Sequence, residues 1–259
     1  MVWRLLTFLQ YLFWCQARLC SVTVFICRIY LNDLVDGRYN GRYSFVILYA
    51  DDILILTLLL TELQRLLHAC EEELAWLDMS INISKSCCLR IGPRYDFKCY
   101  SILTTNGLPL PWATELRYLG VYILSSRVFK CSQDHAKRAY YRSLNAIFGK
   151  IGRSASEEVI LQLVSSKCLP ILLYASEACG LNQSDIRSLD FVVNRFLMKL
   201  FKTANLGVIQ DCLSYFNFKL PSSLLVTRTH NFLAKYSNCE NFICKLFSNF
   251  NTATRVHNV

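Results

Sequence analysis

The sequence lacks the short motifs that identify several common classes of enzyme and metal-binding protein. It contains no glycine-rich nucleotide-binding fingerprint, no H-E-x-x-H helix, no nucleophile elbow and no kinase signature. Its thirteen cysteines include no C-x2-C pair and no paired Cys/His spacing, so a zinc finger is not expected. Because the number of cysteines is odd, a disulfide scaffold would leave one thiol over, and a reducing compartment fits best.

The chain also lacks an apolar run of the roughly 20 residues that a membrane-spanning helix needs. Residues 1–28 form a divergent hydrophobic segment, but Arg4, Arg18 and Arg28 interrupt it. Its basic start and apolar centre imitate a signal peptide only loosely. We therefore expect an intracellular protein, cytoplasmic or nuclear, with no membrane partner. A secreted or membrane-anchored protein led by this segment is the weaker alternative.

The overall composition describes a folded, basic chain. Hydrophobic residues make up 53% and charged residues 18%, which excludes a disordered protein, and the formal net charge is +9. Between Arg127 and Lys202 there are twelve basic and six acidic residues, so this stretch carries two thirds of the net charge. Such a surplus favours a polyanionic partner, although ribosomal and membrane-surface proteins share it.

The most informative stretch is Phe45–Leu56, in which two apolar runs of strand length flank Tyr49-Ala50-Asp51-Asp52. The break between the runs is too short for anything but a tight reversal, which predicts a β-hairpin with both aspartates at or beside its turn. Carboxylates at such a tip are favourable when cations meet them. Adjacent residues of a strand point to opposite sides, so we expect Asp51 to be the main metal ligand and Asp52 to assist. The alternative is an Asp-Asp turn that closes a plain hairpin.

Tyr49-Ala50-Asp51-Asp52 between two hydrophobic strands resembles the active-site hairpin of reverse transcriptases. The closest resemblance is to non-LTR (LINE-type) retrotransposon enzymes, in which an apolar helix ending in a pattern like that of residues 29–36 precedes the hairpin. The loop and the earlier strand that carries another catalytic aspartate in this family are not found in the sequence. The fingers and the first half of the palm are therefore missing, and the chain resembles a palm and thumb portion truncated at the N-terminus.

The turn that contains Lys85 and the Tyr118-Leu119-Gly120 hairpin continue the resemblance in the family's order, and a helical thumb follows them. Thr61-Glu62-Leu63-Gln64 predicts a capping box that opens an amphipathic helix. The segment Asn82–Ser86 and the strand Cys87–Ile91 resemble the family's next palm motif, which implies that Lys85 faces the triphosphate; the alternative is a surface lysine in a turn. Asn106-Gly107 predicts a reversal after a strand near Lys98–Thr104. The hairpin Tyr118-Leu119-Gly120 resembles the family's primer grip, with Gly120 allowing a close backbone approach.

Helical periodicity begins after Cys131. It predicts helices over His135–Lys150, Ser156–Leu169, Asp185–Lys202 and Leu224–Phe247, with Ser154 or Ser156 as a cap. Leu169–Glu177 resembles the retrotransposon thumb pattern Pro-x-Leu-Leu-Tyr-Gly-x-Glu, with Ala175 where glycine is usual. Basic residues recur at helical spacing in two sets, which are solvated faces or a surface for a nucleic-acid backbone: Lys137, Arg138 and Arg142; Arg195, Lys199 and Lys202.

The resemblance implies an α+β fold, in which a partial reverse-transcriptase palm (an antiparallel sheet with packed helices) precedes an α-helical thumb. The expected parts are a hydrophobic segment (1–28), a partial palm (29–126), a helical thumb-like region (127–247) and a frayed tail (248–259).

The activity that the resemblance implies is RNA-directed DNA synthesis by two-metal nucleotidyl transfer with Mg²⁺. The implied partners are an RNA template, a DNA primer and a deoxynucleoside triphosphate. Asp51, Asp52 and Lys85 would be catalytic, and Asp51 and Asp52 would hold the metal. We expect the chain alone to be weak or inactive, because positioning two ions normally draws on the missing aspartate. The alternative of another class is a non-catalytic remnant that binds nucleic acid.

Overall fold

A computed structural model describes residues 44–49, 51–151 and 154–238. Within these ranges the chain divides into two compact units. One holds residues 44–119 together with Ile123–Phe129, and the other holds Gly120–Tyr122 together with residues 130–238. The predictions for residues 1–28, for the helix end at 29–36 and for the tail from residue 248 fall outside the described residues.

The first unit begins with the predicted hairpin, formed by strands β1 (Phe45–Tyr49) and β2 (Asp52–Leu56). The strands are antiparallel, and Tyr49 pairs with Asp52, so only Ala50 and Asp51 separate them in the chain. Val, Ile, Leu and aromatic residues fill both strands, which suits a pleated, half-buried surface. The hairpin is confirmed, and both aspartates lie where its strands meet.

A helix, α1 (Leu60–Trp76), packs on this hairpin and on the short strands that follow it. Its buried Leu66 and Cys70 pack with Val46 of β1, and its buried Leu67 packs with Ile102 further along the chain. Full burial of a side chain such as Leu stabilises the fold by roughly 1.5–3 kcal/mol. The predicted apolar face is confirmed, since all its members are buried or partly buried: Leu63, Leu66, Leu67, Leu74 and Leu77.

The start of α1 shows that the predicted capping box is wrong. The helix begins at Leu60, its N-cap is the extended Leu59, and no side chain of the N-cap accepts a hydrogen bond from the first turn. Thr61 lies inside the helix, where its hydroxyl cannot cap the preceding N–H groups. Glu62 instead forms an ion pair with Arg65 at 2.9 Å.

The strands after α1 are shorter than predicted. Only Cys88–Leu89 (β3) and Ile102–Leu103 (β4) form within the expected strand regions, followed by Pro109–Leu110 (β5) and Trp112–Ala113 (β6). β3 pairs in parallel with β6, and β4 pairs antiparallel with β5. The reversal at Asn106-Gly107 is confirmed, since Gly107 has φ +74 and donates its N–H to the Thr104 carbonyl at 2.9 Å.

Side chains of α1 bond to backbone groups near the end of β4. The Leu103 N–H donates to Gln64 Oε1 at 2.9 Å, and Gln64 Nε2 donates to the Leu103 carbonyl. The Thr105 N–H donates to Glu71 Oε2 at 2.8 Å. The side-chain amide of Gln64 thus pairs with Leu103 as a neighbouring strand would. It satisfies the N–H and the carbonyl of Leu103, which would otherwise need a strand partner.

Three further strands lie in one sheet in chain order: β7 (Glu115–Tyr118), β8 (Val121–Leu124) and β9 (Cys131–Ser132). In the part of the chain that the structure describes, the strands thus form four small sheets, one of them a parallel pair. The mixed α+β class is confirmed, whereas the prediction of an antiparallel sheet must be corrected at the parallel pair of β3 and β6.

The second unit is mainly helical, and its helices enclose a core that includes Tyr140, Leu172, Leu189 and Phe196. Its α-helices are α2 (Asp134–Ile151), α3 (Glu157–Leu163), α4 (Leu169–Leu172), α5 (Gln183–Leu200), α6 (Leu206–Tyr215) and α7 (Pro221–Ser237). A π-helical turn, Val164–Cys168, joins α3 to α4. Pro170 is the second residue after this turn and has no N–H to donate, so a regular α-helix could not continue through this point with all its hydrogen bonds.

The four predicted helices are present with shifted ends. The second is divided by the π-helical turn, the third ends at Leu200 rather than Lys202, and the fourth begins at Pro221; its predicted end lies outside the described residues. Ser156 is the N-cap of α3, but its side chain makes no capping hydrogen bond. Helix α6 was not predicted from the sequence; its N-cap Asn205 accepts a hydrogen bond from the Gly207 N–H.

Candidate active site

The tip of the first hairpin presents two adjacent carboxylates to solvent. Asp51 lies in the turn, Asp52 is the first residue of β2, and both are exposed. Among the described residues, neither carboxylate accepts a hydrogen bond or forms an ion pair with a basic side chain. Two unneutralised carboxylates on a rigid, packed hairpin form a local concentration of negative charge that a hard cation can offset.

The register of the hairpin fixes the face on which Asp52 lies. Val46 and its partner Ile55 face α1, as do Leu48 and its partner Ile53. Since side chains alternate along a strand, the next pair, Tyr49 with Asp52, lies on the opposite face. The Asp52 carboxylate therefore lies on the side of the hairpin away from the helix.

Tyr118 is the residue that the structure brings near Asp52. Its side chain is buried, and its hydroxyl has no hydrogen-bond partner among the residues that the structure describes. Burial raises the pKa of the Tyr118 phenol well above its ordinary value, and the Asp52 carboxylate and the Tyr49 phenol raise it further. The charges of the first strand pair thus act on the phenol at the end of β7.

Lys85 lies in a turn organised by Asn82. The Lys85 and Ser86 N–H groups both donate to the Asn82 carbonyl, at 3.1 and 3.0 Å, and Ser84 Oγ donates to Asn82 Oδ1 at 2.7 Å. The Lys85 side chain is exposed, and among the described residues its ammonium makes no hydrogen bond or ion pair, with either aspartate or any other group. The structure therefore presents a free cation but no direct link from Lys85 to the hairpin tip.

The Tyr118-Leu119-Gly120 segment forms the reversal between β7 and β8. Leu119 has φ 47 and Gly120 has φ +83, and two successive positive φ values are those of a type I′ hairpin turn. Glycine adopts this conformation without strain, whereas Leu119 pays a steric penalty. A Cβ on Gly120 would lie 3.3 Å from the ring atom Cε1 of Tyr174. The close approach expected of Gly120 is thus made to an aromatic side chain.

The predicted thumb motif makes a second glycine-like turn. Ala175, which stands where the family pattern has glycine, has φ 54 and is buried. This left-handed conformation is the one that glycine adopts most easily, which gives a physical reason for glycine in the pattern. Arg228 of α7 lies 3.9 Å from the buried Glu177 and donates to the Leu173 carbonyl at 3.2 Å, so the motif is held to α7 by charge-assisted contacts.

The basic set on α2 divides into two exposed residues and one that is engaged. Arg138 and Arg142, one turn apart, are exposed, and among the described residues their guanidinium groups contact no acceptor. Lys137 is only 22% exposed; it donates to Ser188 Oγ of α5 at 2.8 Å and lies 3.8 Å from Asp134. Lys137 therefore acts in packing α2 against α5, and Arg138 and Arg142 remain available to an anion.

The basic set on α5 is anchored on aromatic rings. Arg195 lies over Phe191 at 5.9 Å, and Lys199 lies over Phe148 of α2 at 5.0 Å; both are exposed. Lys202 lies beyond the end of α5, with φ 53, so the prediction that it continues the helical face is wrong. Cation–π contacts orient the two helical residues without removing their charge.

No group of three or more metal-binding side chains occurs within the described ranges, and no described helix is long and apolar enough to cross a membrane. Asp51 and Asp52 nevertheless fit Mg²⁺, which takes one or two carboxylates together with phosphates and waters. The exposure of both carboxylates at the tip meets that requirement.

Residues 20–123 match the family model described as Reverse transcriptase (RNA-dependent DNA polymerase). The match covers about two fifths of the chain and includes the aspartate hairpin, α1, the Lys85 turn and the Tyr118-Leu119-Gly120 reversal. Over this segment the chain is similar to that family. The helices from α2 onward lie beyond it. No curated protein and no solved structure matches the chain.

Proposed function

We propose that this chain is a palm and thumb portion of a non-LTR, LINE-type retrotransposon reverse transcriptase. The observation that carries the proposal is the pair of exposed carboxylates, Asp51 and Asp52, at the tip of an antiparallel hairpin inside the segment that matches the family. The reaction is RNA-templated DNA synthesis, with a deoxynucleoside triphosphate and the 3′ end of a DNA primer as substrates.

Each group has a role that its surroundings allow. Asp51 and Asp52 supply oxygen ligands, with Asp51 as the principal one because it lies exposed in the turn and, among the described residues, forms no ion pair. When bound there, Mg²⁺ would supply Lewis-acid activation of the primer hydroxyl and stabilise charge on the leaving pyrophosphate. The free ammonium of Lys85 faces the triphosphate and can give a proton to the leaving group. The reversal at Tyr118-Leu119-Gly120 holds the primer end.

The helical unit provides the surface for the duplex backbone. Arg138 and Arg142 on α2, and Arg195 and Lys199 on α5, are exposed cations on packed helices, which is the arrangement that phosphate contacts require. Lys202 lies beyond α5 and contributes charge without being fixed by the helix. In this proposal α2 to α7 are the thumb.

We expect polymerisation by this chain alone to be weak, because the family's fingers and its first palm aspartate have no recognised counterpart in the sequence. The test is primer extension on an RNA template with Mg²⁺, comparing the full chain with Asp51→Asn. Asp78→Asn is the matched control, since Asp78 is an exposed aspartate of the same unit that lies outside the hairpin. Weak extension that Asp51→Asn abolishes and Asp78→Asn preserves is the expected result.

The other outcomes discriminate between the alternatives. Robust extension that depends on Asp51 would confirm the polymerase and show the expectation of weak activity to be wrong. Absent extension would show that the chain is inactive alone, and extension that survives Asp51→Asn would contradict the polymerase function. Salt-dependent nucleic-acid binding that persists unchanged in Asp51→Asn would then identify a non-catalytic binding remnant, the second candidate, which the exposed Arg138 and Arg142 favour.

A further inference from the structure

The loop between β3 and β4 presents three aromatic side chains to solvent. In the segment Arg94–Tyr100, here called the aromatic loop, Tyr95 is 40% exposed, Phe97 65% and Tyr100 88%. Single exposed apolar residues are ordinary on a protein surface, but three exposed aromatic rings within seven residues are a concentration that favours a binding site.

The backbone of the aromatic loop is held in place by its own unit. Arg90 donates to the Phe97 carbonyl at 3.2 Å and to Cys99 Sγ at 2.7 Å. Trp112 Nε1 donates to the Tyr100 carbonyl at 3.1 Å. These bonds fix the main chain beside the two most exposed rings, so their exposure is a property of the folded loop. A loop ordered in this way loses less conformational entropy when it binds a ligand.

Basic residues alternate with the rings. Arg94 precedes Tyr95, and Lys98 follows Phe97; both are exposed, and among the described residues neither side chain makes an ion pair. Asp96 is the single acidic residue in the loop, which leaves a positive surplus in a chain of net charge +9. Exposed rings provide faces for bases, and the cations between them attract phosphates.

We propose that the aromatic loop is a stacking site for single-stranded nucleic acid. A duplex keeps its bases stacked on one another, so the rings would gain nothing from it, whereas the unstacked bases of a single strand can lie on Phe97 and Tyr100. The identification of nucleic acid as the ligand of the loop rests on the proposed function. The proposed stacking site contains no residue of the hairpin that carries Asp51 and Asp52.

The test measures binding of the full chain to a short fluorescein-labelled single-stranded RNA by fluorescence anisotropy over a series of salt concentrations. Tyr100→Ala should weaken binding by about fivefold or more, the lower end of what loss of one stacked base produces. Tyr100→Trp should restore it. Tyr215→Ala is the matched control: Tyr215 is 84% exposed on α6, outside the loop, and its removal should leave the dissociation constant unchanged.

The salt dependence separates stacking from charge. Tyr100→Ala removes no charge, so the slope of log K against log salt concentration should stay the same, while Lys98→Ala should reduce the slope by about 0.7. Phe97→Leu provides a second variant that keeps an apolar side chain but removes the ring. Its binding should fall while its thermal unfolding temperature stays that of the wild type, which would exclude misfolding as the cause.

Three results would overturn the inference: no measurable binding, equal loss in Tyr100→Ala and Tyr215→Ala, or duplex RNA of the same sequence binding with the same dependence on Tyr100. If the chain bound no nucleic acid, the exposed rings would instead indicate a surface for a protein partner. Repeating the titration with Asp51→Asn distinguishes this site from the proposed function. Primer extension that survives Asp51→Asn, with Tyr100-dependent binding intact, would contradict the polymerase and leave the stacking site standing. Primer extension that depends on Asp51, with binding that does not depend on Tyr100, would contradict the stacking site and leave the polymerase standing.

Discussion

The phenol of Tyr118 is buried beside the carboxylate of Asp52. Burial, followed by the charge of Asp52, raises the pKa of this phenol, and the hydroxyl has no hydrogen-bond partner within the described part of the chain. A buried hydroxyl without a partner is unfavourable by about 1–3 kcal/mol. The segment resembling a primer grip therefore begins with a destabilising polar group next to the second aspartate.

Tyr118→Phe removes that hydroxyl and keeps the ring, so we expect it to raise the free energy of unfolding by about 1 kcal/mol. Tyr140→Phe, which removes a second buried hydroxyl without a partner, should behave in the same way in the helical unit. Urea denaturation followed by circular dichroism measures both. A loss of stability in Tyr118→Phe would show that the hydroxyl finds a partner in solution.

The buried thiol of Cys70 should make the protein less stable at alkaline pH. Burial, with smaller contributions from Glu71 and Glu73, raises the pKa of this thiol from 9.0 to about 11. The unfolded chain therefore releases this proton at lower pH than the folded chain. The associated stability is fully present below pH 9 and is lost as the pH rises to about 11, an effect on the order of 2–3 kcal/mol.

Denaturation of the wild type and of Cys70→Ala at the two ends of this range measures the effect. The decrease in the free energy of unfolding between pH 9 and about pH 11 should be smaller in Cys70→Ala, whatever its stability at neutral pH. Cys212→Ala, which removes a half-buried cysteine of α6, should keep the wild-type decrease. Equal decreases in all three proteins would contradict the assignment to Cys70.

Helix α5 has a capping box that α3 lacks. Asn182 Oδ1 accepts a hydrogen bond from the Asp185 N–H at 2.8 Å, and the Asp185 carboxylate accepts one from the Asn182 N–H at 3.3 Å. Asn182→Ala should destabilise the chain by about 1 kcal/mol. Ser156→Ala at the N-cap of α3 should have a smaller effect, because that side chain makes no capping bond. Thermal unfolding of the two variants compares them directly.

Two glycines with open space around their Cβ positions should respond to alanine in opposite ways. Gly107 has φ +74, whereas Gly149 lies within α2, and neither position has an atom within 4 Å of the added carbon. Gly107→Ala should destabilise the protein by about 1–2 kcal/mol through its left-handed backbone. Gly149→Ala should stabilise it by roughly 0.5–1 kcal/mol through helix propensity. If both substitutions changed the free energy of unfolding in the same direction, the φ values assigned to Gly107 and Gly149 would be contradicted.

Arg138 and Lys137 should differ in their effects on nucleic-acid binding. Arg138→Ala should weaken binding to duplex and reduce the slope of log K against log salt concentration by about 1, with stability unchanged. Lys137→Ala should instead lower stability by about 1 kcal/mol, because it removes the bond to Ser188 of α5. If Lys137→Ala had the larger effect on the salt slope, the proposed phosphate surface would be misplaced.

The hairpin, the apolar face of α1 and four helices could be predicted from the sequence because each depends on a local pattern. The continuous apolar runs on either side of Asp51 and the helical spacing of Leu63, Leu66 and Leu67 are sufficient to define their elements. The reversal at Asn106-Gly107 follows from glycine's freedom at positive φ, and the structure has φ +74 there.

The features that were missed depend on residues distant in sequence or on competing local patterns. Gln64 pairs with the backbone of Leu103, 39 residues away, and no sequence pattern predicts that contact. Thr61 fits the pattern of a capping box, but the helix begins one residue earlier, at Leu60. The short α6 has a polar N-cap at Asn205 that was a usable signal. The neighbourhood of Asp52 and Tyr118 required the tertiary structure, since 66 positions separate them in the chain.

The contact between Gly120 and Tyr174 restricts how this sequence can change. Any side chain at position 120 would have to adopt a left-handed backbone and displace the Tyr174 ring, whose Cε1 atom already lies 3.3 Å from where that side chain would begin. A smaller residue at position 174 would remove the second obstacle but not the first. In a selection for folded variants with both positions randomised, glycine should therefore be retained at 120 whatever residue appears at 174, while 174 should tolerate many residues as long as 120 stays unsubstituted.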